Sequence, residues 1–237
     1  MPSSSGDINF VANAKSVATR AMRDLMPELA EKYTRVIEFL AVEPEMASSG
    51  RGRTAPKVGS VEYIERQAMG FVQGRIPKSP EPPSTIPDPM VSVILNSYWR
   101  ISADELDRIT REHQLAMASE NIVGAMLEHY IADVAEDFGW IWCSGELVKH
   151  VDFVKPPTRD HRHWRMLQIK NRDNSENSSS SLVRSGTSIE KWYRTKSRTG
   201  ATMWNVFPDD ELRSLLSESG FEKFAKRYLR ASRTADS

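Results

Sequence analysis

Three residues within one short stretch have the types and spacing for work on a phosphodiester. They are Asp152, Gln168 and Lys170, in HVDFVKPPTRDHRHWRMLQIKNR over residues 150–172. A carboxylate and an amide oxygen are hard oxygen donors suited to Mg2+, which keeps several of its waters. Such a cation polarises a phosphate and acidifies an attacking water. An ammonium group beside it stabilises the charge that grows on phosphate oxygens in the transition state.

The chain must bring these groups together. Two apolar runs, 146–154 (ELVKHVDFV) and 164–169 (WRMLQI), flank a polar connector that contains prolines. Both are short, rich in β-formers and bounded by turn signals, which predicts two antiparallel strands. Residues two apart on a strand share a face, so Gln168 and Lys170 point the same way, and Asp152 on the neighbouring strand can join them. The plain alternative is a strand aspartate in a turn network and a surface lysine.

This arrangement resembles the PD-(D/E)xK nuclease core, in which an Asp on one strand is followed by an acidic or Gln residue, any residue and a Lys on the next. Gln168 stands where an acidic residue is commoner and brings no charge. Upstream, Ser119 is expected to open a helix that runs to Phe138 and is ended by Gly139. Its apolar stripe is Val123, Leu127, Tyr130, Ile131 and Val134, with Glu128 on the flank. In the resembled core a helix just before the Asp strand delivers a Glu to the metal, and Glu128 matches that position. The alternative is a boundary glutamate with its head in water. Trp140, Ile141 and Trp142 are expected to begin the sheet.

After Lys170 comes NRDNSENSSSSLVRSGTSIEKWYRTKSRTG. Asn, Arg and Glu are the side chains that read base edges in the major groove, and Ser hydroxyls suit phosphates. Asn171, Arg172, Asn174, Ser175, Glu176, Asn177, Ser178 and Arg184 are therefore candidates for reading DNA. Lys191, Arg194, Lys196 and Arg198 are candidates for its backbone. A flexible Ser/Asn-rich linker is the competing account.

The run LQIKNRDNSENSSSSLVRSGTSIEKWYR is similar to the SinI-type family of type II restriction endonucleases, most clearly over residues 147–204. The resemblance implies an α/β fold: a PD-(D/E)xK mixed sheet flanked by helices, with a mainly helical N-terminal half. It implies Mg2+-dependent cleavage of double-stranded DNA at a short palindromic, GGWCC-like site by a homodimer. By motif position it makes Asp152, Gln168, Lys170 and Glu128 the catalytic set, with Asp152, Glu128 and Gln168 as metal ligands. A DNA methyltransferase is then expected as a genetic partner. The alternatives are a DNA-binding protein on an inactive nuclease scaffold, with Gln168 as the decayed position, or a repair or junction nuclease.

Composition agrees with an intracellular enzyme. A single cysteine, Cys143, excludes an internal disulfide and a Cys-based zinc site. The first residues, MPSSSGDINF, lack the features of a signal peptide, and no apolar run approaches the roughly 20 residues of a membrane span. A bacterial cytoplasmic location is expected. The net charge of zero hides an asymmetry: residues 1–150 hold 15 Lys+Arg against 21 Asp+Glu, and residues 151–200 hold 11 against 5. The basic excess thus falls on the candidate core, as a phosphate-binding face requires, though a solvated basic surface looks the same.

The remaining elements position the core. Residues 1–118 are expected as a mainly helical region packed on a nuclease core of 119–237. Two helices are predicted over 8–42, divided at Pro27, and another over 60–74 with Ser60 as N-cap. Gly50-Arg51-Gly52-Arg53 suits a basic arm or an ordinary loop. Residues 76–90 form a Pro-rich connector, and 91–99 fit either a strand or a buried helix. Ser102 and Glu105 form a capping box for a helix over 102–117. Asp209-Asp210-Glu211 open a helix that Gly220 is expected to stop, before a last helix from Phe221 to Leu229. His161 and His163 alternate like a metal pair but lack a third ligand, and are assigned to phosphate or solvent.

Overall fold

The computed structural model describes residues 8–50, 54–84, 86, 88–173 and 188–235. Among them, one compact unit runs up to Ile76 and resumes over Glu128–Phe224, and a second takes Pro77–Leu127 and the chain from Ala225 onward. Seven α-helices and a four-stranded sheet make up an α/β architecture.

In the first unit, α1 (Ala14–Leu25) buries Ala14, Val17, Ala18 and Met22, a stripe at helical spacing. The residue before a proline is pushed out of helical conformation, and Met26 is extended there. Pro27 starts a short 3-10 turn, and α2 (Ala30–Val42) follows. α3 (Val61–Gln73) is capped by Ser60, whose Oγ accepts from Tyr63 N at 3.2 Å. The three helices bury Tyr33, Val36, Ile37, Phe39, Tyr63, Ile64 and Phe71 in one core.

The sheet order is β1 (Ile141–Trp142), β2 (Phe153–Lys155), β3 (Arg165–Arg172) and β4 (Ile189–Thr195). The first two pairings are antiparallel and β3 runs parallel to β4, so the sheet is mixed. Ile141, Val154 and Met166 lie in register and pack into the helical core. The next row, Trp142, Phe153 and Leu167, faces the other way. On that opposite face Trp192, Trp204, Phe207, Tyr130 and Phe221 form an aromatic cluster, with Trp192 and Trp204 centroids 4.8 Å apart.

Several local expectations need correction. Asp152 lies one residue before β2, not inside a strand beginning at Glu146. The preceding backbone is diverted to Ala47, which bridges Val148, while Lys149 N donates to Met46 O. His150, at φ 61°, then turns the chain toward Asp152. The expected pair of helices at 102–117 and 119–138 is one helix, α5 (Ala103–Ala135). Ser119 does not cap; its Oγ donates back to Leu115 O at 2.8 Å, as serine does inside a helix. Gly220 does not stop a helix either, because it lies within α7 (Glu218–Ala235). A Cβ there would stand 2.3 Å from Tyr130 Oη, so glycine serves close approach.

In the second unit the ambiguous segment at 91–99 resolves as a helix, α4 (Pro89–Ser97). Asp88 Oδ1 caps it by accepting from Met90 N at 2.9 Å, and Pro89 occupies the first turn. Half of the Ser102–Glu105 box forms: Ser102 N donates to Glu105 Oε2 at 3.3 Å, but the Ser102 hydroxyl donates to the same carboxylate at 3.0 Å and Glu105 N bonds Ser102 O. No helix among the described residues is long and apolar enough to cross a membrane.

Candidate active site

Asp152 is fastened to β3 on both sides of Gln168. Its backbone N donates to Leu167 O at 2.9 Å, and its Oδ2 accepts from Ile169 N at 2.7 Å. The ladder itself begins one residue later, at Phe153↔Leu167. Gln168 and Lys170, two apart on β3, share a face, and the Asp152 carboxylate reaches the backbone N–H of Ile169 between them. Burial raises the Asp152 carboxyl above its ordinary range, while the Ile169 N–H and the Lys170 charge pull it back down. Lys170 is exposed and Gln168 is buried.

Glu128 on α5 stands beside the edge strand. Its Oε2 accepts from Trp142 Nε1 at 3.1 Å. Its charge and that of Asp152 both act on the buried Cys143 thiol, which burial has already pushed far up. Cys143 N donates to Asp152 O at 2.8 Å, so the thiol is the neighbour the two carboxylates share. The cysteine packs as a small hydrophobe, as expected of an un-ionised buried thiol.

The candidate ligands are all oxygen donors, the Asp152 and Glu128 carboxylates and the Gln168 amide, and Glu128 is held by Trp142, whose row faces away from that of Val154 and Met166. Among the described residues no group of three or more His, Cys, Asp or Glu side chains could hold a metal ion. Carboxylate and amide oxygens are donors of the kind that suit a hard divalent cation.

Residues that the sequence alone did not single out hold this corner in place. Glu136 accepts from Arg75 Nη2 at 2.7 Å and from Trp142 N at 3.2 Å, and pairs with Lys32. Burial opposes its charge, but Arg75 and Lys32 outweigh that and hold its carboxyl below the ordinary range. Arg75 also donates to Trp142 O at 3.0 Å and stacks on the Phe71 ring. At the end of α3, a Cβ on Gly74 would meet Gly145 N at 2.3 Å, so two glycines let the β1–β2 loop lie against the helix. The Arg75–Glu136 and Lys32–Glu136 contacts join residues 61 and 104 apart in sequence, and no local pattern announces them.

The candidate DNA contacts divide. Arg172, Lys196 and Arg198 are exposed. Lys191 pairs with Gln168 in the parallel ladder and so shares the face of Gln168 and Lys170. Arg194 turns inward: its Nε donates to Asn171 Oδ1 at 2.9 Å, it pairs with Glu218, and it stacks on Phe221. Asn174, Ser175, Glu176, Asn177, Ser178 and Arg184 lie outside the described residues, as do Arg51 and Arg53. His161 and His163 are both exposed. A cavity of about 670 Å³, lined by residues that include Lys155, His161, Arg165, Glu190 and Asp209, lies on the other face of the sheet. It is no part of the Asp152 site.

A mixed sheet with helices, carrying a Gln-x-Lys pair on one strand, is consistent with a restriction-endonuclease-like fold. The family model described as SinI restriction endonuclease matches residues 14–231. The chain is 46% identical over 226 residues to the type II restriction enzyme Eco47I of Escherichia coli, covering 95% of this chain and 98% of that one. It is 48% identical over 222 residues to the type II restriction enzyme SinI of Salmonella infantis, covering 93% and 96%. The chain belongs to the SinI restriction endonuclease family, and membership makes it a restriction endonuclease.

Proposed function

We propose that this chain cuts double-stranded DNA at a short palindromic, GGWCC-like site, as a Mg2+-dependent homodimer. The observation that carries the reading is the double attachment of Asp152 to β3 on either side of Gln168, with Lys170 on the same face. Asp152 and Glu128, with the Gln168 amide, would hold the cation, which when bound supplies Lewis acidity toward the scissile phosphate and the attacking water. Lys170 stabilises charge on the phosphate oxygens and lies close enough to Asp152 to favour its ionised form. Lys191, beside Gln168, adds a second ammonium to a face that the neutral glutamine leaves less negative. Arg172, Lys196 and Arg198 are free to meet the DNA backbone, and the tract at 174–184 is the proposed reader of bases. Two copies follow from a two-fold symmetric site.

Digesting a plasmid of known sequence and mapping the ends tests this directly. Discrete cuts repeated at one sequence are expected with Mg2+. Lys170→Ala should abolish those cuts and leave specific binding in a gel-shift assay intact. The uncharged Gln168 favours one competing reading, a specific binder on an inactive scaffold. Binding without cleavage by the unaltered chain, in Mg2+ or Mn2+, would establish that reading instead. Scattered or structure-dependent ends would indicate a repair or junction nuclease.

Glu128 has two separable duties. Glu128→Gln keeps an acceptor for Trp142 Nε1 but loses the charge. Cleavage should fall about 10-fold or more, with the thermal midpoint unchanged. Glu128→Ala should lower both. Full activity in Glu128→Gln would remove this residue from the cation site.

A further inference from the structure

We infer that α4 is the surface through which two copies of this chain associate. The inference builds on the homodimer reading above and names the face. No side chain of α4 is buried. Met90 is 57% exposed, Ile94 53%, Tyr98 76% and Trp99 64%, with Val91 and Val93 close behind. Met90, Val93, Ile94 and Ser97 recur at three- and four-residue spacing, which makes one stripe along the helix. Folded proteins rarely leave so much contiguous apolar surface in water unless something covers it.

Charge and area both point to a second copy as the occupant. Residues 89–99 (PMVSVILNSYW) contain no charged side chain. An interface on a two-fold axis sets a patch against itself, so any charge near its centre would face its own image. An uncharged stripe avoids that repulsion, whereas it offers nothing to phosphate. Aromatic side chains carry 150–250 Å² each, and Tyr98 and Trp99 together expose on the order of 300 Å². With the four aliphatic side chains the patch comes to about 700 Å², close to the roughly 800 Å² that each partner gives to a standard interface. A restriction enzyme on a palindrome needs this symmetry, and α4 supplies a self-complementary face for it.

The test is the size of the full chain, measured by sedimentation at micromolar concentration without DNA or Mg2+. The unaltered protein should be a dimer. Val93→Glu combined with Ile94→Glu should weaken self-association at least about 100-fold, the effect of losing a central apolar anchor pair. Helix content by circular dichroism should stay the same. If that variant fails to fold, Tyr98→Ser with Trp99→Ser decides, because both rings are mostly in water, against each other. Val42→Glu, also at an exposed apolar position but on α2, should leave the dimer intact. A monomeric unaltered protein, or folded α4 variants that remain dimers, would overturn the inference. Size is read without catalysis, so a dimer held by α4 that cuts no DNA would count against the nuclease reading alone. A cutting enzyme whose dimer ignores α4 would count against the interface alone.

Discussion

Asp152→Asn is expected to slow cleavage by about 10³-fold while leaving the protein at least as stable as before. The two effects share one cause. Burial holds the Asp152 carboxyl above its ordinary range, with the Ile169 N–H and Lys170 opposing. A carboxyl raised in the folded state contributes stability while it is protonated, below its unfolded value. That contribution is lost as the pH climbs through the folded value. At neutral pH the ionised group therefore costs stability. Asparagine removes the charge, and its amide oxygen still accepts from Ile169 N, so the strand attachment survives. Activity assays with a binding control read the first effect, and denaturant melts at neutral pH read the second. A melt showing clear destabilisation would mean that the carboxylate is paired more strongly than its surroundings indicate. A companion measurement follows the Asp152 carboxyl by NMR. It should titrate above an ordinary aspartate, and Lys170→Ala should move it higher still by removing the nearby positive charge.

The placing of Gln168 and Lys170 on one face was legible in the sequence because its logic is local. Gln168 and Lys170 lie two apart in a β-forming run, and strand alternation alone puts them side by side. Asp152 was legible as a partner but not as an N-terminal flank of β2. Its position depends on backbone bonds between Met46–Ser48 and Leu147–Lys149, and on a positive φ at His150. None of these leaves a mark in composition or periodicity. Glu128 could be placed on a helix flank by spacing, but its Trp142 partner could not. The same holds for Arg75 and Glu136, whose ordinary-looking charges become a half-buried pair only once the end of α3 meets the turn before β1.

The helices teach a related lesson. Val17, Ala18 and Met22 announce α1, and Ser60 announces α3, because stripe and cap are encoded within a few residues. Ser119 and Gly220 carry the same letters as a start and a stop signal, yet each lies inside a helix. Serine can satisfy its hydroxyl on its own helix, and glycine can be required by a neighbour's approach, here Tyr130. A cap residue is therefore informative only where the apolar stripe also begins or ends. The parallel pairing of β3 with β4, which brings Lys191 beside Gln168, was beyond local pattern altogether.

Asp209→Ala should destabilise the fold by about 3–5 kcal/mol, which for a chain of this size lowers the thermal midpoint by roughly 10 °C. Asp209 is 5% exposed and has several partners. Its Oδ2 accepts from Trp140 Nε1 at 2.9 Å and from Lys155 Nζ at 3.0 Å, and its Oδ1 caps α6 (Asp210–Arg213) through Glu211 N. Lys155 and Arg165 pair in register on β2 and β3, so this carboxylate fastens the segment after β4 to the strand that carries Gln168 and Lys170 and to its neighbour. Arg165 keeps Glu190 at 3.0 Å when Asp209 is lost. Lys155 keeps no ion pair among the described residues, and a largely buried, uncompensated ammonium is the main cost. Asp209→Asn retains the cap acceptor and one oxygen for Trp140, and should fall between the two proteins. The pH dependence has the opposite sign to that of Asp152. Burial opposes ionisation of Asp209, but the hydrogen bonds from Trp140 and Lys155 prevail and hold it below the ordinary range. Its contribution is then present above the unfolded aspartate value and is lost as the pH falls through the folded one. The gap between unaltered protein and Asp209→Ala should therefore be widest near neutrality and close in acid. Denaturant melts across that range check this, and a gap independent of pH would show that the ion pair is not what holds this corner.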